Sequence, residues 1–149
     1  MPTMETGKHK LPYLAVSQAQ KEITHNEALA LIDALVHPVA EEQLSVPPAP
    51  TDADIGKCWL VGSSPVAEWT GRSSHVAIWA GGGWRYFAPS EGMRLRLLNN
   101  GADLIWSGNT WIAPPQIADP ANGAVVDVEA RQAIVTLLSY FRTIGQIIL

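Results

Sequence analysis

The sequence predicts an α+β fold, an N-terminal helix and a C-terminal amphipathic helix flanking a central antiparallel β-hairpin region, from three observations. Apolar residues recur at steps of three and four in two segments, 17–36 and 127–148. Between them, short β-prone runs alternate with Gly, Asn and Ser turns. All six tryptophans fall between Trp59 and Trp111, so the large side chains belong to the middle of the chain and not to its ends.

The elements follow in order. Met1–Lys10 has no periodic apolar pattern, contains Pro2 and Gly7, and carries Lys8, His9 and Lys10 in succession. Residues 1–16 are therefore expected to be a mobile arm that a partner orders. A helix is predicted over 17–37, with Ser17 and Gln20 spaced as a capping box and Pro38 ending it. Its apolar residues Ala28, Leu29, Leu31, Ile32, Leu35 and Val36 predict a wide buried face in its second half. Residues 38–56 hold a short strand at Val39–Leu44 and then the stretch VPPAPTDADIG, whose prolines favour extended backbone, and are expected to be a linker.

The β domain is predicted over 57–112, with strands at Lys57–Val61, Val76–Trp79, Trp84–Phe87, Met93–Leu98, Asp103–Trp106 and Thr110–Ile112. Two hairpins, beginning at Ile78 and at Ile105, share the pattern Ile-Trp-x-Gly-x-x-Trp at a spacing of 27 residues. Trp69-Thr70-Gly71 reads as a degenerate relative. After a Pro-containing linker, 113–126, a second helix spans 127–149. Asp127 is its N-cap, Glu129 and Arg142 suit its dipole, and Gly145 terminates it. Ile134, Leu137, Phe141, Ile144 and Ile148 form a heptad-like seam of just over two repeats. Two readings stay open for that seam: an amphipathic helix packed on its own domain, or the interface of a homo-oligomer, with a trimer favoured.

Composition narrows the function classes. The 149 residues fit one domain. A net charge of −4 with ten basic residues leaves no cationic stripe for a phosphate backbone, so nucleic acid is not an expected partner. No apolar run is long enough to span a bilayer, and Met1–Lys10 lacks the apolar core of a signal peptide, so cytoplasmic synthesis without a cleavable signal is expected. Cys58 is the only cysteine, which excludes an intrachain disulfide and a multi-cysteine zinc site. The His residues are dispersed at 9, 25, 37 and 75, and no metal or cofactor is expected. No nucleophile elbow, phosphate loop or His-Glu-x-x-His pair occurs. Gly81-Gly82-Gly83 joins two Trp-bearing strands and reads as a hairpin loop. Pairs such as Asp52 with Asp54, or Glu68 with Glu91, carry no glycosidase signal in a chain with 14 acids, and the chain is not expected to be an enzyme.

The tryptophans have two readings. Small β-layers need large side chains to cover their cores, while an exposed indole suits the apolar face of a sugar. For a glycan or receptor surface, the candidates are Trp79, Trp84, Tyr86, Trp106 and Trp111, with Arg85 supplying hydrogen bonds. Since alternate residues of a strand face opposite sides, Trp84 and Tyr86 share one face and Arg85 and Phe87 the other.

Leu11-Pro12, Gln18-Ala19-Gln20-Lys21, Thr24-His25-Asn26-Glu27-Ala28-Leu29 and Asp33-Ala34-Leu35 resemble an uncharacterised family of alphaproteobacterial prophages, tailed phages and gene transfer agents. The similarity continues through Gly56–Val61, Trp69–Gly71, the Ile-Trp hairpins and Phe87-Ala88-Pro89 before Glu91-Gly92, roughly residues 11–112. The Asp-x-Glu-Ala-Arg-x-Ala-Ile run at 127–134 resembles a tail found on other phage structural proteins. The resemblance implies a virion component near tail fibres, assembled in the bacterial cytoplasm, and brings no catalytic residues. Thr24, His25 and Asn26 are mediocre helix formers, so the signature predicts specific hydrogen bonds in mid-helix. Those bonds either tie the helix to its own domain or dock it on another virion protein, with Gln18, Gln20, Lys21, His25 and Asn26 as the docking candidates.

Overall fold

The computed structural model describes residues 5–14, 21–121 and 127–148. Helix α1 (Lys21–Val36) is followed by β1 (Val39–Ala40), β2 (Gln43–Leu44), β3 (Cys58–Val61), β4 (Val76–Trp79), β5 (Trp84–Phe87), β6 (Arg94–Leu97), β7 (Asp103–Trp106), β8 (Trp111–Ile112) and helix α2 (Val128–Thr143). The α+β class and all six predicted central strands are present. The predicted capping box at Ser17 and Gln20 lies outside the described residues.

Two four-stranded sheets form, in the orders β2-β3-β4-β5 and β1-β6-β7-β8. They are the same unit built twice. In the first, Gly56 N–H donates to Trp79 O, Trp79 N–H to Lys57 O and Ala80 N–H to Gly83 O; in the second, Gly92 donates to Trp106, Trp106 to Met93 and Ser107 to Thr110. Gly56 (φ 86°) and Gly92 (φ 78°) hold the same left-handed position, where a side chain would be strained. The 27-residue repeat read from the hairpins is thus the end of a longer duplication. Its first half was hidden because the connection from β3 to β4, residues 62–75, is nine residues longer than that from β6 to β7, residues 98–102.

Each unit is completed by a short edge strand. Gln43 and Leu44 pair in parallel with Leu60 and Val61, and Val39 and Ala40 pair in parallel with Arg96 and Leu97. The segment expected to begin a linker therefore supplies one strand to each sheet. Extended backbone between Pro38 and Pro47 gives it the geometry, and neither pair is the antiparallel kind expected from hairpins.

Strand alternation then decides how the sheets stack. One face of the first sheet presents Cys58, Leu60, Val76 and Ile78, and these share a core with Leu95, Leu97 and Leu104 of the second. The opposite face presents Trp59, Val61 and Ala77, with Trp79, Trp84 and Tyr86 packed alongside. By the duplication, Trp59 corresponds to Leu95, Val61 to Leu97 and Ala77 to Leu104. Each unit thus points the same face in the same direction, and the sheets stack in the same sense rather than face to face.

A stack of this kind has two unlike ends, and each is covered differently. The inserted connection folds Trp69, fully buried, onto the outer face of the first sheet. Trp69-Thr70-Gly71 is therefore a lid and not a third copy of the repeat. At the other end the second sheet turns Arg96 and Asp103 outward as an ion pair of 3.1 Å. Arg96 also donates to the carbonyls of Ile144 and Thr143, and Asp103 N–H donates to Gly145 O, so the C-terminal end of α2 rests on this face. Stacked repeats need such terminal faces made polar or covered.

Residues 5–14, expected within a mobile arm, are instead folded back on the domain. Thr6 is fully buried, its N–H donating to Leu11 O and its hydroxyl accepting from Leu11 N–H. The buried Asp33 carboxylate of α1 accepts from the Lys8 and His9 N–H groups at 2.8 and 2.7 Å. Two successive N–H groups converging on one carboxylate form an anion nest, and charge-assisted bonds of this length are strong. Gly7 is required here, because a Cβ would lie 2.4 Å from Ile55 O.

Candidate functional site

The tryptophans form two separate groups. On the outer face of the first sheet, the Trp84 ring meets Trp59, Trp69 and Trp79 edge-on at 5.5, 5.1 and 5.3 Å. Such T-shaped contacts each add ~0.5–1.5 kcal/mol to the burial itself. The Trp79 indole donates to Thr51 O, and the Tyr86 hydroxyl donates to Glu68 O. Burial pushes the Tyr86 phenol above its usual range, against the Arg72 guanidinium that sits 5.0 Å over its ring. In the second sheet, Trp106 and Trp111 meet edge-on at 5.4 Å, and Trp111 packs on the intersheet core and donates to Ser74 O.

Trp79, Trp84 and Tyr86 thus come together, Trp106 and Trp111 form a second group, and Arg85 joins neither. Its position on the opposite side of β5 places it at α1, where it pairs with Glu27 at 3.0 Å. All five aromatic candidates, Trp79, Trp84, Tyr86, Trp106 and Trp111, are half-buried and remain partly accessible while making framework contacts. What these side chains chiefly do is hold strands and connections in place.

The helices behave differently from the tryptophans. In α1 the buried side is Asp33 and Ala34, with Leu31 partly covered. Of the apolar stripe predicted to be buried, Leu29 and Leu31 are half-buried while the rest faces outward: Ala28 is exposed, Ile32 is 46%, Leu35 43% and Val36 68% exposed. Its apolar periodicity is real, but the nest at Asp33 and the Glu27–Arg85 pair turn the helix the other way. In the polar signature, Asn26 accepts from Leu14 N–H and donates to Leu14 O, tying the helix to the folded-back segment. His25 lies exposed on the open face. Lys21 begins the helix, and Gln18 and Gln20 lie outside the described residues.

Helix α2 is held along one narrow line. Leu138 is buried, Arg131 and Val135 are half-buried above it, and Arg142 donates to the Asp119 carboxylate at 2.7 Å and to Ile117 O. Turned away from that line, Ile134 (47%), Leu137 (57%), Tyr140 (59%) and Phe141 (41%) are open to solvent. Ile144 is half-buried at the helix end. Ile148 leaves the predicted seam altogether, because Gly145 (φ 75°) breaks the helix and the chain beyond it packs Ile148 on the intersheet core and bridges it to Gln116.

A cavity of about 250 Å³ opens between the folded-back segment and the first sheet, lined by Gly7, Lys8, Val39, Glu41, Ala53, Ile55, Gly56, Lys57 and Cys58. Its chemistry is muted. Burial pushes the Cys58 thiol up to about 11, so it is protonated near neutrality. The Lys57 ammonium is held by Asp54 at 2.8 Å and the Lys8 ammonium by His37 O. Among the described residues, no three His, Cys, Asp or Glu side chains gather as a metal site, and no helix is long and apolar enough to cross a membrane.

The residues that sequence reasoning missed are Asp33, Gly7 and Arg96, which position the segments around the helices. A lone acid in a helix, a lone glycine and one strand arginine carry no pattern of their own; only the duplication, placing Arg96 opposite the buried Leu60, singles one of them out. No curated protein matches the chain. Residues 25–112 match the model of a family described as protein of unknown function (DUF2793), and the region matched takes in most of α1 and both sheets. The match spans more than half of the sequence, and the chain belongs to that family.

Proposed function

We propose that this protein is a non-enzymatic structural component of a tailed-phage or gene transfer agent particle, a tail-fibre, spike or adaptor subunit that works by joining other virion proteins. The observation that carries the reading is the contrast between sheets and helices. The tryptophan hairpins are committed to internal packing, whereas both helices turn apolar faces to solvent. Exposed apolar stripes on a folded domain mark surfaces made to be covered. The likeness to prophage and gene transfer agent sequences at 11–35 supplies the setting, with assembly in the bacterial cytoplasm.

Mass spectrometry of particles purified from a producing strain tests this reading. The chain is expected at a constant ratio to the major tail proteins, and its absence from intact particles would overturn the proposal.

A second reading, a carbohydrate-binding module contacting host surface glycans, is favoured by the half-exposed Trp79, Trp84 and Tyr86 on one face. Quenching or shift of tryptophan fluorescence by host polysaccharide, lost in Trp79→Ala, supports it. An unchanged spectrum at saturating polysaccharide removes it.

A further inference from the structure

We propose that residues 5–14 are a latched strap: they open as one piece, ahead of global unfolding, to uncover the cavity over Cys58, and the Asp33 carboxylate is the latch that holds them shut. This goes beyond the assembly reading and does not depend on it.

The strap is held by polar bonds and not by a core of its own. Of residues 5–14, Thr6 alone is buried; His9, Lys10, Pro12 and Leu14 are exposed and the rest are half-buried. It grips the domain at three points: the Lys8 and His9 N–H groups on Asp33, the Lys8 ammonium on His37 O, and Leu14 on the Asn26 amide. A segment with little apolar burial and a few hydrogen bonds opens locally at lower cost than the sheets beneath it. Its two arms pair with each other through the Glu5–Pro12 bridge and the Thr6–Leu11 bonds, so it moves as a unit. Its turn holds Lys10 at φ 57°, a left-handed conformation that favours glycine, and opening relieves that strain. Against this stands Asp33, buried on α1, whose bonds to two N–H groups are charge-assisted and whose carboxylate would be left without them.

The duplication shows what the strap is there to cover. A Cβ on Gly81 would meet the Ile55 side chain, and one on Gly108 would meet the Glu91 side chain, so Ile55 and Glu91 hold the same place in the two units. In the second unit, which has no strap, Glu91 and Arg94 are charged and exposed. Their counterparts in the first, Ile55 and Cys58, are uncharged and lie under Gly7 and Lys8 across the cavity of about 250 Å³. The strap also lies close: a Cβ on Gly7 would sit 2.6 Å from the Gly56 Cα, so backbone rests on backbone with no side chain between them. Such a contact gives a tight closure with little apolar surface to hold it, which is what a strap that opens requires.

The rate at which Cys58 of the full chain reacts with excess maleimide tests this, since Cys58 is the only cysteine and each chain gives one signal. All six tryptophans lie outside the strap, so their fluorescence reports the sheets separately. The wild type is expected to react far more slowly than the same chain in urea. Asp33→Asn keeps the shape of the latch but removes its charge, and is expected to speed the reaction ~10-fold with the folded fluorescence spectrum unchanged. Gly7→Ala, whose Cβ would lie 2.4 Å from Ile55 O, is expected to do the same without touching the latch. Arg96→Met, which weakens the molecule at the second sheet, is expected to leave the rate as it is. Hydrogen exchange gives a second readout: Asp33→Asn should raise exchange in residues 5–14 and leave β3 and β4 protected. A wild-type rate equal to that in urea overturns the proposal. So does a rate that neither Asp33→Asn nor Gly7→Ala changes, or one that Arg96→Met raises as much as they do, because labelling would then follow global unfolding. These measurements use the isolated chain, so they are decided independently of its presence in particles.

Discussion

The two Ile-Trp-x-Gly-x-x-Trp hairpins have the same sequence pattern, the same turn hydrogen bond and opposite surroundings. In the first, Trp79 and Trp84 look outward from the stack and need a lid; in the second, Trp111 packs on the core between the sheets, with Trp106 edge-on against it. Nothing within either motif distinguishes them. The difference comes from position in a stack whose units all face one way, so that the first unit has an uncovered apolar face and the second an uncovered opposite face. One end is closed by a tryptophan on an inserted connection and the other by an ion pair and a helix end.

Removing the lid should break the comparison most. Trp69→Ala deletes a fully buried indole that covers the first unit alone, and is expected to cost ~3–5 kcal/mol, measured as a shift in the urea midpoint. An equal cost for Arg96→Met, which opens the other end, would mean that the two ends are not different in kind.

The matched hairpin positions sharpen it. Trp84 touches three other rings and Trp111 one, so Trp84→Ala is expected to destabilise more than Trp111→Ala, by ~1–2 kcal/mol at about 1 kcal/mol for each additional aromatic contact. Denaturant titrations of the two single variants provide the check, and the reverse order would contradict the packing described.

Cys58 reports on the middle of the stack. Its counterpart by duplication is Arg94, exposed at the end, while Cys58 is buried between the sheets with its thiol raised from 9.0 to about 11. The unfolded chain therefore releases this proton before the folded one does. The stability it contributes is complete below pH 9 and is lost as the pH rises toward 11, a fall of ~2–3 kcal/mol at 1.36 kcal/mol per unit. Thermal melts of the wild type and Cys58→Ala across pH 8–11 would show the extra slope in the wild type only.

The smallest effect is expected at the polar end. Arg96→Met keeps the aliphatic stem but removes the contacts to Asp103, Ile144 and Thr143, at a cost of ~1 kcal/mol for a partly exposed ion pair and its hydrogen bonds. Hydrogen exchange should rise in α2 and stay unchanged in β3 and β4.

The central strands were legible because Val, Ile, Trp and Tyr runs between glycine turns have few alternatives. Helix α2 was legible down to its cap, with the Asp127 carboxylate accepting from Ala130 N–H at 2.9 Å. The direction in which α1 faces was not. Ile32, Leu35 and Val36 give the same periodicity whether the stripe meets its own core or another molecule, and the residue that decided it, Asp33, is an acid that reads as solvated until Lys8 and His9 are placed beside it. The edge strands were hidden for another reason. Two residues make a strand only through their partners, and those partners lie far along the chain. The same limit applies to the candidate site: the sequence located an α2 seam, but its end at Ile144 instead of Ile148 depends on how Gly145 fits against Gly101 O, a contact no local pattern encodes.

The crossed use of residues 39–44 also sets an order of events during synthesis. Gln43 finds Leu60 only seventeen positions later, whereas Val39, which leaves the ribosome first, waits for Arg96, fifty-seven positions later. Closing a longer loop is slower and comes later. The first sheet can therefore be complete, apart from its stacking partner, while the nascent chain still holds β1 as a single unmatched strand. That strand is the template on which the second sheet is registered, so the finished first half of the molecule carries the address at which the second half must arrive.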